Sequence, residues 1–155
     1  MDDTYSRRSV IGATGAAAVT LLAGCSSGNS GDGRRDDREY LDTEPEYGNW
    51  FNGVDSYVGT VDWTDRDEVT VTVGYDQYAY DPAAVAVSSG TTVVWEWNGM
   101  GGGHNVVSDG DGPLESELVH SEGHTYSYTF AESGLFPYKC TPHETLGMRG
   151  AVYVE

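Results

Sequence analysis

The stretch "CTPHETLGM", Cys140 to Met148, places a thiol, an imidazole and a thioether within nine residues. Thiolate and thioether are soft donors and imidazole is intermediate, so the combination favours copper over hard cations such as calcium or magnesium. A trigonal set of one cysteine and two histidines, with a long and weak axial methionine, is the electron-transfer copper geometry. It needs a second histidine, delivered by another strand end, and the chain offers His104, His120 and His124. His104 stands in "GMGGGHNVVSD", where a glycine run lets backbone approach closely and a strand is expected directly after the histidine. His120 and His124 flank a polar Ser-Glu-Gly turn and read as solvated. His104 is therefore the expected companion of Cys140, His143 and Met148.

Other chemistries fit these side chains less well. A cysteine hydrolase would need a base and an oxyanion site beyond the Cys140–His143 pair, and it would leave Met148 without a purpose. Zinc gains little from a thioether, and a binuclear copper centre would need a second cysteine in the loop. A copper storage or delivery protein shares the ligands and is the alternative function. It would hold the metal in an open site, often with several methionines, whereas of Met1, Met100 and Met148 only the last lies in the motif. A disulfide between Cys140 and the other cysteine, Cys25, would consume the thiol of the motif, so Cys140 is expected to be free.

The elements that must position these residues read as short strands. In "EVTVTVGY", Val69, Val71, Val73 and Tyr75 alternate onto one face; "AVAVSSGTTVVWEWNG" gives two runs around a Ser-Gly turn; "HTYSYTF" puts Tyr126, Tyr128 and Phe130 together. "LFPYKC" and "GAVYVE" add two more runs. Trp95 and Trp97 share one side of their strand, opposite Glu96, and are assigned to packing. No stretch of ten or more residues has a helical period, so the class is all-β, a sandwich of short strands.

Upstream, "SRRSVIGATGAAAVTLLAGC" pairs Arg7 and Arg8 with an Ala/Gly-rich stretch that is shorter than the roughly 18 apolar residues a spanning helix needs. Residues 1–24 are expected to be an export signal resembling the twin-arginine type. "LLAGC" resembles a lipobox, which implies cleavage before Cys25 and a lipid on its thiol. The localisation expected from this is peripheral, on the extracytoplasmic face of the cell membrane. Residues 25–47 are rich in Gly, Ser and charge and are expected to form a lipid-anchored flexible linker, with a span of roughly 25 Å. Of the 155 residues, 25 are acidic and 8 basic, a net charge of −17, and Lys139 is the single lysine. Nucleic acid and anionic surfaces are thus poor partners, and the acidic excess suits a concentrated brine, where the Debye length falls to about 3 Å at 1 M salt.

"GGHNVV" followed by "YKCTPHETLGMRGAVYVE", with its Cys-x2-His-x4-Met spacing, resembles the plastocyanin and pseudoazurin group of blue copper proteins. The resemblance covers about 54–155 and implies a cupredoxin Greek-key β-sandwich over 48–155. It implies one type 1 copper ion at one end, held by His104, Cys140, His143 and Met148. It also implies a monomeric electron carrier, not an enzyme, exchanging single electrons with membrane redox complexes as donor and acceptor. Asn105 and Thr141 are placed for the hydrogen bonds that join the two ligand loops in similar proteins. Pro142 lacks an N–H and stiffens the loop. Docking is expected on Met100, the Gly101 to Gly103 run, Pro142 and Leu146, around an exposed edge of His143.

Overall fold

The computed structural model describes residues 37–155. The expected export signal, Cys25 and the first part of the expected linker lie outside the described residues. Nine strands form among the described residues: β1 (Thr60–Asp62), β2 (Glu68–Tyr75), β3 (Ala79–Asp81), β4 (Ala84–Val87), β5 (Thr92–Trp97), β6 (Val107–Ser108), β7 (Thr125–Thr129), β8 (Gly134–Lys139) and β9 (Arg149–Val154). A short 3-10 helix, Thr141–Leu146, interrupts the last connection. The strands make two mixed sheets, ordered β1-β4-β9-β8-β6 and β3-β2-β5-β7. This is an all-β sandwich of short strands, the class that the alternating valines and aromatics call for.

The core follows from period-two burial. Val69, Val71 and Val73 of β2 and Val93, Trp95 and Trp97 of β5 join Val85, Val87, Val152 and Val154 in one apolar cluster, while Glu96 stays exposed. Phe130 closes the cluster beyond β7, with Tyr126 and Tyr128 half-buried against it. Tyr75 departs from the expected face: the register with β3 shifts between Val73 and Tyr75, so the ring leaves the row of valines and is only half-buried. The runs "AVAV" and "TTVVWEW", adjacent in sequence, enter different sheets as β4 and β5.

The segment before β1 is bound to the domain, so the expected linker does not extend to residue 47. Tyr40 bridges Val61, Leu41 N–H donates to Thr60 O at 2.9 Å, and Asp62 N–H donates to Glu39 O at 2.9 Å. Arg38 pairs with Asp81 at 2.8 Å, and the Glu44 carboxylate accepts from Thr60 N–H at 2.9 Å. Residue composition averaged these contacts away: a few specific acceptors and two apolar residues, Tyr40 and Leu41, suffice to hold a polar strand against a sheet edge.

Candidate metal centre

Antiparallel pairing gathers the candidate donors at one end of the sandwich. Val107 of β6 lies opposite Lys139 of β8, and Lys139 lies opposite Arg149 of β9. His104 just precedes β6, Cys140 follows β8, and Met148 precedes β9, so three strand ends deliver three residues to one place. His104 is pinned by a two-way bridge with Val119, N–H to O at 2.9 Å in each direction, and Trp97 Nε1 donates to its carbonyl at 3.1 Å.

The ligand loop holds its own shape. Cys140 stands in extended conformation ahead of the short helix, Pro142 occupies its first turn, and Gly147 ends it at φ 86°. His143 N–H donates to Cys140 O at 3.1 Å, Met148 N–H to His143 O at 3.2 Å, and Cys140 N–H to Met148 O at 3.1 Å. Three candidate ligands are therefore tied to one another through backbone before any side chain acts.

The side chains converge. His104 Nδ1 and His143 Nδ1 are 3.1 Å apart, and Cys140 Sγ lies 3.7 Å from the first and 3.5 Å from the second. The point equidistant from these three atoms lies about 2.0 Å from each, a metal–nitrogen length and slightly short of a metal–sulfur one. These three form the described group of His, Cys and acidic residues able to hold a metal ion. Met148 is fully buried at the same end.

Electrostatics prepare the donors. His104 Nε2 lies 2.7 Å from Met100 O. A carbonyl only accepts, so Nε2 carries the proton and Nδ1 presents its lone pair to the triangle. Burial lowers the His104 pKa, which keeps the imidazole neutral and able to ligate. Burial pushes the Cys140 thiol up, while the backbone N–H groups of Asn105 and His143 at the sulfur work in the opposite direction. Asn105 and Thr141 join the two loops: Thr141 N–H donates to Asn105 Oδ1 at 2.8 Å and Asn105 Nδ2 donates to Thr141 Oγ1 at 3.1 Å.

Two expected spectators stay outside. The His120 ring packs over Gly103, and the His124 ring packs edge-on to Trp97 at 4.8 Å; neither enters the donor group. Met100, Pro142 and Leu146 are exposed, Met100 at 54% and Leu146 at 60%, beside the half-buried His143. Several contributors escaped the sequence reading. The Tyr78 ring lies 4.8 Å from the His143 ring, Tyr80 OH donates to Asn105 O at 2.6 Å, and Met100 orients His104 through its carbonyl. Trp97 was assigned to packing alone, although an indole N–H at a buried position signals a need for an acceptor. For Tyr78 no local signal exists, because a different loop brings it there.

The sandwich and the His₂Cys triangle with a buried methionine define a blue copper protein, a class of electron carriers. Residues 67–155 match the copper binding proteins of the plastocyanin/azurin family, and the chain belongs to that family. It is 42% identical over 163 aligned positions to a halocyanin of Natronomonas pharaonis, with all of both chains covered. It is 35% identical over 99 positions to a plastocyanin of Scenedesmus fuscus, covering 57% of this chain and all of that one. Among solved structures, amicyanin of Paracoccus versutus aligns with a TM-score of 0.46 at 32% identity, over 57% of this chain and 82% of that one.

Proposed function

We propose that His104, Cys140, His143 and Met148 hold one type 1 copper ion, and that the protein carries single electrons between membrane redox complexes. The observation that carries this reading is the donor triangle, in which two imidazole nitrogens and one sulfur face a common centre about 2.0 Å from each. Bound copper supplies a one-electron change between Cu(I) and Cu(II). The protein's part is rigidity: Asn105 and Thr141 lock the loops, Met100 O fixes the His104 tautomer, and the backbone ties among Cys140, His143 and Met148 resist movement when the charge changes. Burial of Cys140 and His104 excludes water, while the half-buried His143 offers the shortest path to a partner.

That partner is read as docking on Met100, Pro142 and Leu146, an apolar rim that works in brine where charge steering is screened. Replacing Leu146 with Glu should slow electron transfer to a natural partner and leave the copper spectrum unchanged; an unaltered rate removes this docking surface. We further read the protein as exported and anchored by lipid on Cys25. Support comes from the "LLAGC" stretch and from full-length similarity to a halocyanin. Among the described residues no helix is long and apolar enough to cross a membrane. Cys25→Ala should move the protein from the membrane fraction to the medium.

The central test is the visible spectrum of the copper-loaded protein. An intense thiolate-to-copper band at the red end is expected, and its absence from a folded Cu(II)-loaded sample overturns the reading.

A further inference from the structure

The family match begins at residue 67, yet residues upstream of it touch the ligand loop. Trp50 Nε1 donates to Gly150 O at 2.9 Å, and Arg149 Nη2 donates to Asn52 O at 2.7 Å. The Arg149 guanidinium also lies over the Trp50 ring, 5.5 Å from its centroid. A Cβ on Gly147 would overlap Gly53 O and meet Val54 Cα at 3.5 Å, so this strap lies directly on the backbone beside Met148. Val54 is 6% exposed and Met148 fully buried. The strap thus engages residues 147, 149 and 150, both neighbours of Met148 and the residue beyond.

On the other flank, Met148 is bonded through backbone to Cys140 and His143 of its own loop, and its side chain packs in the apolar core. An axial thioether is a weak and long ligand, so its distance from the metal is set by the backbone that carries it more than by the bond itself. The other three donors are fixed by β6, β8 and the Asn105–Thr141 link; the strap bonds none of these directly and reaches β8 only through its pairing with Arg149 and Gly150 of β9.

We propose that the segment Trp50–Val54, outside the family domain, sets the position of Met148 at the metal centre, with Trp50 and Arg149 as its positioning residues. This rests on Met148 being the axial ligand, as read above. Loosening the strap lets the thioether withdraw. Cu(I) tolerates a lower coordination number than Cu(II), so partial loss of a fourth donor, even a soft one, moves the balance of affinities toward Cu(I).

The experiment uses the full chain, copper-loaded, with reduction potentials from protein-film voltammetry at one salt and pH, and thermal unfolding alongside. Trp50→Phe keeps an aromatic ring and removes the N–H. It should raise the Cu(I)-over-Cu(II) preference about threefold, below the 10–100-fold typical of groups bonded directly to a ligand; at 59 mV per tenfold this is a rise of about 28 mV. Arg149→Lys, which keeps the charge but loses the planar guanidinium over Trp50, should act in the same direction and serves if Trp50→Phe does not fold. In a Met148→Leu background, itself of raised potential, either change should shift nothing further. Equal shifts in both backgrounds mean that the strap acts elsewhere, and no shift in either strap variant means that it does not act; each overturns the proposal while leaving the ligand set standing. If Met148→Leu alone leaves the potential unchanged, the axial reading fails and the proposal with it.

Discussion

At Cys140 the protein balances two opposing effects: burial favours the neutral thiol, and hydrogen bonding from the backbone of Asn105 and His143 favours the thiolate. A metal at the centre of the triangle adds the decisive charge, because a ligating thiol is deprotonated outright. Serine at this position offers a harder, far more basic oxygen in the same space. Cys140→Ser should therefore abolish the red-end absorption band and weaken copper binding by more than about 100-fold, beyond what the loss of a ligand's hydrogen-bonding neighbour costs. His120→Ala should change neither, since that ring lies over Gly103 and outside the donor group. Optical titration of the two variants with copper decides both; bleaching by His120→Ala would mean that the wrong histidine has been placed at the metal.

Among the elements, the loop from Met100 to Gly103 does the most for the site with the least secondary structure. Gly101 sits at φ 78°, and a Cβ there would overlap Gln77 O, so the loop can reach the β2–β3 turn only because this residue has no side chain. That approach sets the Met100 carbonyl 2.7 Å from His104 Nε2 and brings Tyr78 against His143. Gly101→Ala must either take up about 1–3 kcal/mol of backbone strain or move the loop away from Gln77. Moving the loop releases His104, so the variant should lose both stability and the uniformity of its copper signal. Thermal unfolding together with electron paramagnetic resonance measures this, and a wild-type spectrum at wild-type stability would show that the close approach is not needed.

For the whole molecule, charge and tyrosine burial set the working conditions. A net charge of −17 on 155 residues repels itself, and the repulsion falls as the Debye length contracts from about 10 Å at 0.1 M to about 3 Å at 1 M salt. The unfolding temperature should rise from 0.1 M to 1 M potassium chloride; a fall would remove self-repulsion as the dominant surface effect. At the other limit, burial raises the phenol pKa of Tyr47 to about 12, and those of Tyr57, Tyr80 and Tyr138 rise for the same first reason. The sign follows from linkage. A tyrosine ionises at about 10 when unfolded, so the folded state binds more protons above that pH, and stability present below pH 10 is lost on passing toward 12. Denaturant midpoints measured between pH 9 and 12 should be flat at first and then fall; a steady midpoint to pH 12 would mean that these hydroxyls ionise without unfolding.

The sequence by itself determined the class of fold and the identity of the candidate donors. Both are local properties: period-two burial is written in each strand, as in β2 and β5, and the softness of a thiol, an imidazole and a thioether belongs to the side chains themselves. Cys140, His143 and Met148 were legible because one loop carries them, and His104 because its glycine run announced a close approach. Only the tertiary structure decided what long-range pairing controls. It sent "AVAV" and "TTVVWEW" to different sheets, turned Tyr75 out of its row through a register shift, and brought Tyr78 and Tyr80 from a distant hairpin to His143 and Asn105. It also bound residues 38–47 to β1 and β3 and laid Trp50 to Val54 against the ligand loop. Such contacts join residues as far apart as Trp50 and Gly150, and no spacing or composition within a single window encodes which surface a polar segment will meet.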